Sequence, residues 1–298
     1  MSDPTAGLDV DATAGAVPGG LREVVRGVWR DRNGRVGLAV TGMLGLVAVA
    51  AAVGLTPYDP IAQNPADQLV GPSGEHWFGT DQFGRDVASR TFAGIGASLR
   101  VAVLAVALAA VIGTVAGVTS GYLGGFWDQV VGRLTDVLFA FPAILLALSI
   151  IAALGRGWLN TAIAIAIVYI PIFVRVARGP TLAVRELEYV AACRVVGFSG
   201  RRILFRHVLP NVSAPIVVQV ALALSWAILT EAGLSFLGLG TQPPESSLGL
   251  MVSDARNLVT TAWWTMAAPA LAIIIAVIGL NLLGDGLRSA LDPKEEHR

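Results

Sequence analysis

Six apolar runs of about 20 residues divide the chain, and each is long enough to cross the hydrocarbon core of a membrane as a helix. An unpaired backbone group in lipid costs several kcal/mol, so uninterrupted runs of this length predict helices rather than the alternating strands of a barrel. Pro142, inside the third run, predicts a kink. The runs are 36–55, 98–118, 134–154, 159–177, 212–233 and 263–284. The predicted fold class is an all-α integral membrane protein with six transmembrane helices.

The composition agrees with a membrane protein and excludes several functions. Only 14% of the residues are charged, against about 25% in soluble domains. The formal net charge is zero, so no nucleic-acid partner is expected. Cys193 is the only cysteine and the three histidines lie far apart, so no metal site is expected. A phosphate-binding P-loop needs a lysine, and Lys294 in the tail is the only one. If ATP is used, a partner subunit binds it.

Two other classes of function compete with that of a passive permease. An intramembrane enzyme would need a catalytic constellation within the spans, but Ser149, Ser213 and Ser225 have no intramembrane histidine beside them in sequence. We therefore expect a subunit that is not an enzyme. The alternative is an ion-coupled secondary transporter, which more often carries paired mid-membrane carboxylates or unwound segments in two related halves. Neither feature is evident, and such a transporter would leave the long polar segment near residue 200 unexplained.

The distribution of basic residues predicts the orientation and the domain organisation. With both termini in the cytoplasm, 16 of the 21 lysine and arginine residues fall on the inner side and five on the outer side. The expected parts are a disordered basic cytoplasmic head (1–35), a first transmembrane helix with an external loop (36–95), a five-helix permease core (96–290) and a cytoplasmic tail (291–298). The core contains a cytoplasmic loop at 180–210.

Residues 188–210 of that loop, EYVAACRVVGFSGRRILFRHVLP, predict a helix-turn-helix. The first helix covers Glu188 to Val196, and the second covers Arg201 to Val208 and ends at Leu209-Pro210. Gly197 and Gly200 are expected to supply the free φ of the turn. Predicted apolar stripes are Tyr189, Ala192 and Val196 on the first helix and Leu204 and Val208 on the second. One interpretation is an ordinary positive-inside loop on the membrane surface, but a connecting loop usually has about 2–8 residues. A longer, structured loop favours docking of a cytoplasmic protein.

This loop resembles the "EAA" loop of permease subunits in ATP-binding-cassette importers. Ala191-Ala192-Cys193, then Gly197, then Leu209-Pro210 fall at the spacing of that pattern. Ala191 replaces its Glu, Cys193 its Ala and His207 its Ile, and Glu188 could supply the missing carboxylate. The residues that the resemblance assigns to ATPase coupling are Glu188, Ala191, Ala192, Gly197, Arg201, Leu209 and Pro210.

Three further stretches resemble one branch of these importers, that for dipeptides, oligopeptides and nickel, and specifically its second (C-type) permease subunit. They are HWFGTDQFGRDVASR (76–90), EAGLSFLGLGTQPPESSLG (231–249) and LLGDGLRSALDPK (282–294). The resemblance implies a bacterial plasma-membrane subunit that pairs with a second permease to enclose the pathway. Two ATPase subunits would bind ATP and Mg and move the loop as a rigid lever whose angle Gly197 sets. A substrate-binding protein would deliver cargo, expected to be peptides, with nickel chelates or glutathione-like molecules as alternatives.

Two features on the outer side complete the expectations. Glu231, near the outer end of the fifth run, is either a polar contact on the translocation pathway or a buried hydrogen-bonding group that anchors the segment after it. In the external loop 56–96, Arg85 and Asp86 are expected to form a local ion pair. We expect this loop and residues 239–261 to form the surface that the binding protein meets.

Overall fold

The computed structural model describes residues 21–291, so the first 20 residues of the predicted head and the tail from 292 lie outside the described residues. Within 21–291 the regular structure is helical, apart from one isolated bridge between Thr80 and Asp86. The all-α class predicted from the apolar runs is confirmed.

Five helices are each long and apolar enough to cross a membrane. The third predicted run instead forms two helices that meet at a bend of 96°, and together they make a sixth span if they are counted as one. The five continuous helices are α2 (Arg32–Ala52), α3 (Val87–Leu123), α6 (Trp158–Val184), α10 (Ser213–Phe236) and α12 (Trp264–Leu291), and the bent pair is α4 (Gly125–Ala140) and α5 (Ala143–Leu154).

The break in the third span is caused by Pro142. The residue before a proline is pushed out of the helical region, and Phe141 is extended, with φ −94° and ψ 138°. α4 therefore ends at Ala140, and α5 begins directly after Pro142. The sequence predicted a kink at this position, and the structure has a complete interruption.

The basic segment before the first span is helical as far as the structure describes it. α1 (Leu21–Arg30) is separated from α2 by Asp31 alone. The Asp31 carboxylate accepts a hydrogen bond from the Gly34 backbone N–H at 2.7 Å and so caps α2. Residues 21–35 thus form structure where a disordered head was expected, because Asp31 ends one helix and starts the next.

Small residues bring α3 and α6 into close contact. A Cβ on Gly113 would lie 2.6 Å from the Phe173 Cβ, and one on Gly117 would lie 2.5 Å from the Val174 carbonyl oxygen. Gly113, Gly117 and Gly121 therefore form one face of α3 that lies in a helix–helix interface. Its glycines let the two backbones approach where no larger residue fits.

Two regions of short helices connect consecutive spans, one at each end of the helical bundle. The loop between α6 and α10 contains α7 (Glu188–Val195), α8 (Gly200–Ile203), a π-helical segment (Leu204–Val208) and α9 (Leu209–Asn211), and α11 (Leu248–Ala255) precedes α12. The second loop helix was expected to end at Leu209-Pro210, but it continues through Pro210 to Asn211. Pro210 is the second residue of α9, directly after the π-helical segment.

Candidate coupling loop and outer cap

The coupling loop, residues 188–210, rests on the helical bundle through a few buried apolar side chains. Val190 and Val208 are fully buried, and Ile203 is 1% exposed. The guanidinium of Arg194 lies 5.6 Å from the ring centroid of Tyr122 at the end of α3. These contacts hold both short helices of the loop against the bundle.

The turn between the two loop helices depends on Gly197. Its φ of +86° belongs to the left-handed region, and a Cβ placed there would have nothing within 4 Å. Glycine is therefore required at position 197 for its backbone conformation and not because a side chain would lack room. Gly200 differs from the expectation: it is the first residue of α8, it has no positive φ, and a Cβ on it would lie an ordinary 3.7 Å from Tyr122.

Aromatic and polar contacts stiffen the turn. Phe198 stacks on His207 with ring centroids 6.1 Å apart, and the Arg202 guanidinium lies 4.2 Å from the Phe198 centroid. Asn211 donates to the His207 carbonyl at 2.6 Å and to the Tyr189 hydroxyl at 3.2 Å. His207, where the family pattern has isoleucine, thus stacks within the loop. The two short helices are joined into one unit.

The solvent-exposed face of α7 carries three of the residues predicted for coupling. Glu188, Ala191 and Ala192 are all exposed, and Val195 on the same face is 88% exposed. The predicted stripe of Tyr189, Ala192 and Val196 is wrong, because the side of α7 that packs against the bundle contains Val190. In an eight-residue helix with apolar residues on both sides, tertiary packing decides which side is buried.

The rest of the predicted coupling set lies at the surface of the same loop. Arg201 and Pro210 are exposed and Leu209 is partly buried. Three more exposed arginines surround them: Arg194, Arg202 and Arg206. The predicted coupling residues therefore lie in one short loop that also carries exposed arginines and exposed apolar side chains.

Glu231 is fully buried and joins three helices. Its carboxylate accepts hydrogen bonds from the Ser98 hydroxyl on α3 at 2.7 Å and from the Ser235 hydroxyl on α10 at 2.6 Å. The Ser98 oxygen also accepts the Leu248 backbone N–H at 3.4 Å, at the start of α11. Of the two interpretations, these contacts favour the anchoring group, because the carboxylate joins α10 to α3 and, through Ser98, to the start of α11.

On the opposite side from the coupling loop, residues 56–90 and 237–263 form a surface that we call the outer cap, after the side on which the arginine distribution predicts it. His76 Nδ1 lies 2.9 Å from an Asp86 oxygen, and the second Asp86 oxygen accepts the Ser89 N–H and hydroxyl, both at 2.7 Å. Asp86 thereby caps α3. The Trp264 indole on α12 donates to the Thr80 carbonyl at 3.1 Å and fastens the cap to a second span.

The ion pair predicted between Arg85 and Asp86 is wrong. Arg85 Nε instead lies 2.7 Å from Asp81, and Arg90 Nε lies 3.5 Å from the same Asp81 oxygen. Arg90 also donates to the Pro60 carbonyl at 3.0 Å. Arg85 is 6% exposed and Arg90 is 2% exposed. Sequence reasoning missed this buried cluster, although the dense polar spacing of residues 76–90 was its signal.

The described residues 21–291 contain no group of three or more histidine, cysteine, aspartate or glutamate side chains arranged to hold a metal ion. The polar clusters in this part of the chain are instead closed by arginine, serine and backbone partners. They position helices and loops.

Comparison with known proteins places these features in a family. Residues 113–297 match the model of the binding-protein-dependent transport system inner membrane component. A dipeptide transport system permease protein from Alkalihalophilus pseudofirmus is 44% identical over 273 residues, which are 92% of this chain and 90% of the relative. Glutathione transport system permease proteins from Escherichia coli and Shigella boydii are 43% identical over 291 residues, or 95% of this chain and 96% of theirs. The chain belongs to the family of inner membrane components of binding-protein-dependent transport systems, as a permease subunit of the peptide-importer type, as its motifs predicted.

Proposed function

We propose that this permease subunit forms half of a pathway that carries peptides across a bacterial plasma membrane, and that separate ATPase subunits drive it through the coupling loop. The observation that carries the proposal is the exposed face of α7, which presents Glu188, Ala191 and Ala192 of the coupling pattern. The proposed partners are a second permease, two ATPase subunits and an extracytoplasmic substrate-binding protein.

The chemistry of the coupling loop supports a protein partner. Val195 and Val196 are 88% and 72% exposed, and Phe205 is 58% exposed. Apolar side chains this exposed, beside several arginines, are typical of a surface that another protein covers. The arginines would pair with carboxylates of the ATPase, and the valines would fill an apolar recess in it.

The stiffness of the loop supports its action as a lever. The helices on either side of Gly197 are joined by the stack of Phe198 on His207 and by the hydrogen bonds of Asn211. A unit of this kind transmits a rigid-body movement, whereas a flexible loop would absorb it. Closure of the two ATPase subunits would then tilt the spans next to the loop.

ATP and Mg would be bound by the ATPase subunits, and this chain would bind neither and catalyse no reaction. Lys294 is the only lysine in the sequence, and no P-loop motif surrounds it. A complex that imports cargo at full rate on an ion gradient, without ATP, would favour the secondary transporter instead.

The orientation that the proposal needs has both termini and the coupling loop in the cytoplasm, as the arginine distribution indicates. A topology reporter that works only in the cytoplasm should be active when fused near Ser199. The matched fusion at Gly74, exposed in the outer cap, should be inactive. Activity at Gly74 and silence at Ser199 would reverse the orientation.

Docking on the exposed face of α7 can be tested by cross-linking in the assembled complex. Val195→Cys, in a Cys193→Ser background, should form a cross-link to the ATPase subunit with a short reagent that carries a maleimide for this thiol and a photoreactive group for the partner. Val53→Cys is the matched control, because Val53 is 66% exposed but lies at the other end of α2 from the basic segment. Equal cross-linking at both positions, or none at Val195, would contradict docking on this face.

The cargo class follows from the two kinds of relative, which are named for dipeptide and glutathione transport. The test is ATP hydrolysis by the reconstituted complex with its binding protein, measured against dipeptides, longer peptides, glutathione and a nickel chelate. We expect peptides to stimulate hydrolysis several-fold. Stimulation by the nickel chelate alone would overturn the peptide assignment and leave the coupling proposal intact.

A further inference from the structure

The helix α1 lies next to the membrane-spanning part of the chain but is not itself a span. It has ten residues, and only Asp31 separates it from α2. Since the apolar run of α2 begins at Val36, α1 ends about two helical turns before the point where the chain enters the hydrocarbon. A helix in this position must face protein, water or the bilayer surface on each of its sides.

One side of α1 packs against the end of α12. A Cβ on Gly27 would lie 2.7 Å from the Cβ of Ala290, and Val28 is 4% exposed. On the neighbouring helix, Gly34 also lies against α12, next to Gly286. The small residues at 27 and 34 therefore hold α1 and the start of α2 against the same neighbour.

A second side of α1 presents apolar side chains that the described part of the chain, residues 21–291, does not cover. Val25 is 52% exposed and Trp29 is 59% exposed. They are four residues apart and so share one side of the helix. Tryptophan at the boundary between lipid headgroups and acyl chains can place its ring in the apolar layer and its N–H in the polar one.

The side of α1 adjacent to Val25 and Trp29 is basic. Arg26 and Arg30 are exposed there, and Arg32 and Arg35 are exposed in the first turn of α2. Glu23 is the one exposed acidic residue on the described part of α1. Four exposed arginines near the apolar side chains of Val25 and Trp29 match the chemistry of a bilayer surface, where negatively charged headgroups cover apolar acyl chains.

We propose that α1 lies in the surface of the bilayer, with Val25 and Trp29 at the boundary of the acyl chains and the arginines on the phosphates of anionic lipids. This pattern is typical of interfacial amphipathic helices, and juxtamembrane basic residues are attracted to anionic leaflets. α1 would then fix the depth of α2, and through its contact with Ala290 also that of α12. The proposal rests on the membrane location of the chain and not on its cargo or its ATPase.

The test uses the whole complex reconstituted in vesicles and a bimane fluorophore on a single cysteine. In a Cys193→Ser background, the label is attached at Val25→Cys, and the emission is quenched with brominated phosphatidylglycerol or brominated phosphatidylcholine. We expect quenching by both lipids, with phosphatidylglycerol preferred at least tenfold. Leu46→Cys is the matched control: Leu46 is 73% exposed on α2, away from the arginines, and should show no preference.

Substitution of the arginines separates lipid recognition from mere proximity to the bilayer. Arg26→Gln with Arg30→Gln should abolish the preference for phosphatidylglycerol at position 25, at unchanged quenching by phosphatidylcholine. Arg26→Lys with Arg30→Lys should retain it. A label at Trp29→Cys gives a second reading if Val25→Cys impairs assembly. An absence of quenching by either lipid at both positions would overturn the proposal, and so would equal quenching by the two lipids in the unsubstituted helix.

Discussion

The outer cap and the coupling loop are the two most motif-rich regions of the chain, and their polar side chains point in opposite directions. In the cap, Arg85, Arg90 and Asp81 turn inward and satisfy one another in a buried cluster. In the loop, Glu188 and Arg201 turn outward. The polar motif of the cap therefore stabilises the fold, whereas the polar motif of the coupling loop is available to a partner.

Burial is the physical origin of this difference. A buried charge must be paired, and removing its partner leaves an uncompensated ion in a region of low dielectric constant. An exposed charge keeps its hydration, so its loss changes stability little. Substitutions in the cap should thus act on folding, and substitutions in the loop should act on association with the ATPase.

The largest effect on stability is expected at Asp81. Asp81→Ala removes the carboxylate that pairs with both buried Arg85 and Arg90 and leaves them only the more distant charge of Asp254, so it should lower the free energy of unfolding by about 3 kcal/mol. Glu245→Ala is the matched control, because its pair with Arg100 is exposed and should be worth about 1 kcal/mol or less. Both are measured by denaturant unfolding of the purified complex. Equal losses in the two variants would remove the distinction between the buried cluster and the exposed pair.

A smaller effect is expected at Glu231, which ties α10 to α3. Glu231→Ala leaves the Ser98 and Ser235 hydroxyls without an acceptor and should cost about 2–3 kcal/mol. Glu231→Gln keeps one acceptor oxygen and should cost about half as much. The unfolding free energies of both variants test this order. Full transport with no loss of stability in Glu231→Ala would contradict the anchoring role.

The smallest effect on stability, combined with a large effect on association, is expected at Val195. Val195→Asp places a charge where the side chain is 88% exposed in the free subunit and should change the free energy of unfolding of that subunit by less than about 0.5 kcal/mol. The same variant should reduce co-purification of the ATPase at least tenfold. A stability loss as large as that of Asp81→Ala would show that this face supports the fold.

The spans could be predicted from the sequence and the orientation of short polar segments could not. Runs such as 98–118 and 263–284 are apolar over a full membrane thickness, so α3 and α12 followed from hydropathy alone. α7 offers apolar residues on both sides, and only its packing decides that Val190 is buried while Val196 is exposed. Likewise, Arg85 has acidic residues at both 81 and 86, and the turn geometry selects Asp81.

The central claim is that the coupling loop transmits ATPase movement as a rigid unit whose angle is set by Gly197. The most direct test is Gly197→Val, which places a β-branched residue at a φ of +86° and should strain the turn by about 1–3 kcal/mol. Gly200→Ala is the control in the same loop, with ordinary backbone geometry and room for the methyl group. ATP-driven uptake is measured together with ATP hydrolysis in the reconstituted complex. We predict that Gly197→Val lowers uptake per ATP hydrolysed at least tenfold and that Gly200→Ala leaves it unchanged; unchanged coupling in Gly197→Val would contradict the lever.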